Sequence, residues 1–192
     1  MAVWSENSTV AGILEPVLHE YQVPFLPVHG HNSTTRIHEA SEAQLRDGRP
    51  WVILYTGDWD CSGCHMSEVD LRRRVREYGA NIEIKRVALL PSDVAALRRL
   101  SFDVDDKRRA AERKYADKVG KRGLDNNEAW FVAHYGRTCM ELDAMNSNDL
   151  RAHIETAIRA YIDWPAWAHM RLMEQAELDS INDILGRFTG SP

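Results

Sequence analysis

No stretch of this sequence approaches the roughly 20 consecutive apolar residues of a membrane-spanning helix, and its first residues lack the layout of a secretory signal. Cysteine is sparse. Three cysteines among 192 residues is an odd count for a chain of this length, which argues against a disulfide framework and for a reducing compartment. The expectation is a cytoplasmic protein. Positive charge is not in excess either: 24 Lys and Arg stand against 29 Asp and Glu, for a formal net charge of −5 and an isoelectric point near 5.9. That balance removes any global attraction to nucleic acid, so a local basic patch would have to supply one. Internal repeats and low-complexity tracts are also missing.

What is present is an ordinary globular composition, 44% hydrophobic and 28% charged, over a length that suits one good-sized domain or a domain with a helical appendage. The most informative stretch runs from Trp51 to Cys64. Residues 51–56 are apolar, partly β-branched and uncharged, and read as a strand buried on both faces, as in a parallel sheet. The strand ends at Gly57, and two carboxylates follow, Asp58 and Asp60. In extended backbone, side chains two apart point the same way, so both would meet one ligand at the carboxyl end of a central strand. Open α/β sheets bind ligands there. Two uncompensated anions repel and raise a pKa, an arrangement that invites a divalent cation.

Around this strand the chain alternates. Residues 2–5 form a short strand with Glu6 at its end, and Val10, Ile13, Leu14, Val17, Leu18 and Tyr21 mark one face of a helix that Pro16 should kink. A second strand spans 23–28, its prolines weakening any interior position, and the turn from His29 to Ser33 leads into a helix through Arg36 to Leu45. Ser67 and Asp70 resemble a capping box for a helix running to Tyr78, with Gly79 as its stop. A fourth strand over 81–90 and a short helix over 93–100 complete the pattern of a mainly parallel open sheet with helices on both faces.

Residues 101–127 change character. Asp103, Asp105 and Asp106 precede a basic run that includes Lys107, Arg108 and Arg109 and continues to Arg122, a polar insertion expected to be helical in part. Its plain reading is a solvated face, and its functional reading is a phosphate-contacting surface. A short helix over 128–135, a last strand over 138–145 and a helix to Ile162 follow. One more helix over 163–188 carries an apolar stripe suited to packing on the domain or on a second copy. The domain is thus expected over 1–162 and a helical extension over 163–192.

The order of these motifs resembles the TOPRIM domain, and most closely the branch found in topoisomerase VI A subunits and related bacterial and phage proteins. The likeness rests on Trp4 and Glu6 at the first strand, Val23 and Pro24, the Gly30 to Ser33 turn, Gly57, Asp58, Asp60, Ser62 and Gly63, and the late run Glu141 to Ala144. It covers roughly residues 1–162. The resemblance implies that Glu6, Asp58 and Asp60 hold Mg²⁺ or Mn²⁺ and serve phosphodiester transfer or hydrolysis on nucleic acid, with DNA as the expected substrate. Glu6 would be a ligand or a general acid/base. His29, His31, Ser33 and Arg36, together with Lys107, Arg108 and Arg109, are the candidate phosphate contacts; Glu141 and Asp143 are candidate supporting carboxylates. Cys61 departs from the family, whose members usually carry proline there, and Cys64 and His65 have no counterpart. A separate domain bearing a nucleophilic tyrosine is not expected in this chain, so a nuclease-like activity or a role within a larger DNA-processing system is the reading, with a protein partner or a second copy of the chain as associate.

Two other readings stand beside it. Trp59, Cys61 and Cys64 mimic a thioredoxin-like active site at a helix start, where a thiol pKa falls, although the cis-proline turn expected of that fold has no candidate between Pro91 and Pro165. Alternatively, the TOPRIM-like fold serves as an inactive binding module. Haem attachment through Cys61, Cys64 and His65 lacks an export context, and zinc lacks a second paired spacing.

Overall fold

The computed structural model, which describes residues 1–28, 32–106 and 126–189, alternates strand and helix through its first half. β1 (Ala2–Ser5), β2 (Phe25–Pro27), β3 (Trp51–Thr56) and β4 (Ile82–Ala88) form an all-parallel sheet in the order β2-β1-β3-β4. Parallel neighbours need crossovers, and these are α1 (Val10–Tyr21), α2 (Asn32–Asp47) and a helical run made of α3 (Cys61–His65), a π-helical segment (Met66–Asp70) and α4 (Leu71–Glu77). The register sets Trp4 beside Leu26 and Tyr55, and Tyr55 beside Arg86. This is the open α/β sheet that the alternation of patterns predicts.

The period of two along each strand sorts the side chains into two layers. One face buries Trp4, Ile53, Tyr55, Ile82 and Ile84 with Ile37 of α2 and Leu71 and Val75 of α4. α1 buries Val10, Leu14, Val17, Leu18 and Tyr21, an amphipathic stripe, and Pro16 sits on its exposed side within one continuous helix. The Tyr21 hydroxyl donates to Glu155 (3.0 Å), which ties α1 to the helix Ser147–Arg159.

Three elements differ from the sequence expectation. The helix after β3 begins at Cys61, six residues before the proposed capping box, because the Asp60 carboxylate accepts the Gly63 N–H at 2.7 Å and caps it there. Ser67 is therefore inside the helical run, its hydroxyl turned back onto the Gly63 and Cys64 carbonyls. The helix expected over 93–100 is α5 (Pro91–Ala96), with proline in its first turn, followed by a 3₁₀ turn at Arg98–Leu100. The expected strand over 138–145 shrinks to β6 (Thr138–Cys139), which pairs antiparallel with β5 (Phe102–Asp103) outside the main sheet. A 3₁₀ turn at Leu142–Ala144 takes the place of its second half.

α6 (Asn126–Tyr135) precedes β6, and α7 (Ser147–Arg159) and α8 (Trp164–Thr189) end the chain. Two compact units result, Met1–Ala157 and Ile158–Pro192. Within the second, Asp163 accepts the Ala166 N–H as a helix cap and the Arg159 guanidinium lies over the Trp164 ring, while Leu172, Met173, Ile181, Ile184 and Leu185 are exposed. No helix among the described residues is long and apolar enough to cross a membrane.

Candidate functional site

In the strand order β2-β1-β3-β4, the chain leaves β1 toward one side for β2 and returns to its other side as β3. The carboxyl ends of β1 and β3 therefore flank a topological switch point, where such sheets open a crevice. Glu6 follows β1 directly, its N–H bonded to the Thr56 carbonyl at 3.3 Å, and Asp58 lies two residues beyond β3. Both are half-buried.

Arg86 organises this corner. Ile82, Ile84 and Arg86 share one phase of β4, so the guanidinium enters the layer that buries the isoleucines, and the residue is only 8% exposed. Its Nη1 donates to the carbonyls of Gly57 (2.9 Å), Leu89 (3.1 Å) and Ala88 (3.3 Å), its Nη2 to the Asp58 carbonyl (2.9 Å), and its Nε to Ser67 Oγ (3.1 Å). The cation also lies 5.5 Å from the Tyr55 ring centre and 5.8 Å from that of Trp59. It thereby clamps the loop that carries the acidic residues; the Ala88–Leu89 peptide beneath it is cis.

Gly63 of α3 lets these groups meet. A methyl group there would lie 2.4 Å from the Asp58 carbonyl, 3.2 Å from Glu6 Oε2 and 3.3 Å from Arg86 Nη2, so only a residue without a side chain fits. The Glu6 carboxylate and the guanidinium end thus approach one point. Asp58 Oδ1 accepts the Leu142 N–H at 2.9 Å, and Asp60, 2% exposed, faces inward as the α3 cap.

The Tyr55 hydroxyl is buried in the same corner and has no hydrogen-bond partner among the described residues. Burial pushes its phenol above the ordinary range. Glu6 adds to the shift, Asp60 and Asp58 act in the same sense, and Arg86 opposes them. One hydroxyl therefore feels all three carboxylates that the sequence singled out.

Compared with protein-family models, curated proteins and solved structures, the chain matches none of them. What the corner can do follows from its own geometry. Among the described residues, no group of three or more His, Cys, Asp or Glu is placed to hold a metal ion. Glu6 and Asp58 flank the crevice, while the Asp60 carboxylate caps α3 through the Gly63 N–H.

Cys61 and Cys64, the alternative redox pair, sit in different surroundings. Cys61, half-exposed at the start of α3, is in hydrogen-bonding contact with Cys139 of β6; that contact outweighs burial and holds the Cys61 pKa below its usual value. Cys64 is fully buried, and burial pushes it up to about 12 despite the nearby Arg86 charge. A cavity of about 260 Å³ is lined by Asp60, Cys61, Ser62, Glu128 and Cys139 among others.

His29, His31, Lys107, Arg108 and Arg109 lie outside the described residues, as does the side chain of Ser33 in the first turn of α2. Arg36 pairs with Glu39 at 3.2 Å and lines a cavity at the amino ends of β1 and β3, away from the acidic corner. Glu141 and Asp143 are exposed. Sequence reasoning missed Arg86, Tyr55 and the Cys139 contact. For Arg86 a signal exists: it shares its phase with Ile82 and Ile84, whereas the exposed Glu83 and Lys85 share the other. No signal of that kind joins Cys61 to Cys139.

Proposed function

We propose that the crevice between the carboxyl ends of β1 and β3 is a cation-assisted phosphate site, with Glu6 and Asp58 as its metal-facing carboxylates and phosphodiester chemistry on nucleic acid as its task. This reading rests on Glu6 and Asp58 following the two strands that flank the switch point, beside a buried Tyr55 hydroxyl without a hydrogen-bond partner among the described residues. Mg²⁺ commonly takes one or two carboxylates from a protein and completes its octahedron with water and substrate phosphate, so this pair of hard oxygen donors fits it, and Mn²⁺ likewise. A bound cation would polarise a phosphate and activate water. In this reading Asp60 is a positioning residue: it starts α3 and so brings Gly63 under the Asp58 carbonyl. Arg86 keeps the loop in place and offsets the charge of Glu6. The TOPRIM-like spacing of Glu6, Asp58 and Asp60 belongs to the same proposal, as does DNA contact by the basic run from Lys107 to Arg122.

The test is calorimetric titration of the full chain with Mn²⁺ and Mg²⁺, run beside cleavage of single- and double-stranded DNA. Glu6→Gln and Asp58→Asn are expected to lower metal affinity by at least about 10- to 100-fold and to remove metal-dependent cleavage. Asp60→Asn, which retains a capping oxygen, should keep metal binding. Absence of carboxylate-dependent heat in the wild type, or cleavage unchanged in both variants, would overturn the reading.

A further inference from the structure

Two of the three thiols face each other across a scaffold that does not depend on them. Trp59 and Met140 exchange both backbone hydrogen bonds, each 2.8 Å, and the Leu142 N–H reaches Asp58. Cys61 lies two residues beyond Trp59 and Cys139 one residue before Met140, so this short antiparallel pairing holds the sulfurs in contact. Cys61 is half-exposed and lines the cavity of about 260 Å³, whereas Cys139 is wholly buried at its floor. Cys64 is also wholly buried and lines no part of that cavity.

We infer that Cys61 and Cys139 form a dithiol–disulfide couple whose reaction partner is a low-molecular-weight disulfide. Ordinary ligand pockets run from roughly 300 to 1,000 Å³, so this smaller cavity admits one arm of a low-molecular-weight disulfide and not a whole cofactor. In the first step the Cys61 thiolate attacks one sulfur of the small disulfide R–S–S–R, a mixed disulfide forms and one RS⁻ leaves. In the second, Cys139 loses its proton to that thiolate and attacks the Cys61 sulfur, the second RS⁻ leaves and takes up the proton first released by Cys61. Two cysteines are oxidised and one small disulfide is reduced to two thiols. The product would covalently join the loop after β3 to the segment that already holds it. The inference stands apart from the cation reading, because it uses the two thiols, their backbone pairing and their cavity, and neither Glu6 nor Asp58 as a ligand.

The experiment incubates the full chain, with a chelator present, in buffers of hydroxyethyl disulfide and its thiol. Remaining thiols are then capped with N-ethylmaleimide in denaturant, and the chain is digested without reductant for mass spectrometry. Two of the wild type's three thiols, and both thiols of Cys64→Ser, should disappear together into one cross-linked pair of peptides containing Cys61 and Cys139. A Cys61–Cys64 link, a mixed disulfide that stalls on Cys61, or three intact thiols under oxidising buffer would each overturn the inference. Because metal is absent throughout, the outcome is independent of the Mn²⁺ titration.

Discussion

Arg86 shows how a buried charge is tolerated at a single position. Each of its three side-chain nitrogens donates, to four carbonyls and one hydroxyl, and a carboxylate lies close by. Removing it strands those acceptors and leaves Glu6 without its neighbouring cation. Arg86→Met is therefore expected to cost about 3–5 kcal/mol of folding free energy, read as a lower urea midpoint. Arg86→Lys should recover only part of that loss, since one ammonium cannot span five acceptors fixed by a planar fork. The same residue marks a limit of reading a sequence in runs: within 82–88 its charge looks like that of Glu83 and Lys85, and only its phase separates it from them. Glu6, Asp58 and Asp60 were legible because each follows a recognisable strand end. The Leu142 N–H on Asp58, the approach of Glu6 and Arg86 to Gly63 and the burial of Tyr55 beside them were not, because they depend on where segments far apart in the chain come together.

The helical run after β3 makes a similar point about elements. Its start is set by Asp60, and the aromatic side of α6 closes over the loop: Trp59 packs on Phe131 and Tyr135 at centroid distances of 6.2 and 4.7 Å, and the Tyr135 hydroxyl bonds to Glu68. Asp60→Ala should cost about 1 kcal/mol through loss of the cap, and Asp60→Asn only a few tenths, measured by the same denaturation. Equal losses in both variants would mean that the charge, and not the cap, is what position 60 supplies. β3 was legible from its continuous apolar run and α1 from its apolar periodicity. The run from Thr138 to Met145 was not. Its alternation suits a strand, but the Leu142 N–H goes to the Asp58 carboxylate instead of a strand neighbour, so the ladder stops at Met140. The capping-box pattern at Ser67 and Asp70 misled for the converse reason: a better cap lay upstream.

At the scale of the whole molecule, the buried titrating groups set a pH window. Unfolded, Cys64 releases its proton near the ordinary thiol value of 9.0; folded, it holds that proton until about 12. The native state is the more protonated one between those values, so stability is complete below about pH 9 and falls as pH rises toward 12. Tyr55, also raised, extends the fall upward from its ordinary 10.0. Thermal midpoints should hold between pH 7 and 9 and decline by pH 11, and Cys64→Ala should flatten that decline. A wild-type profile that is level over that range would contradict the burial assigned to both groups.

The margins of the sheet carry one further consequence. Among the described residues, β2 and β4 are its outer strands, and they are defended differently. β2 is three residues long, with Pro24 just before it and Pro27 within it, so it offers few N–H donors to an arriving chain. β4 is more than twice that length and has only the alternating charges of Glu83 and Lys85 exposed along it. Stacking of molecules into fibres by adding strand to strand would begin there, and neutralising those two side chains would remove the gatekeepers against it.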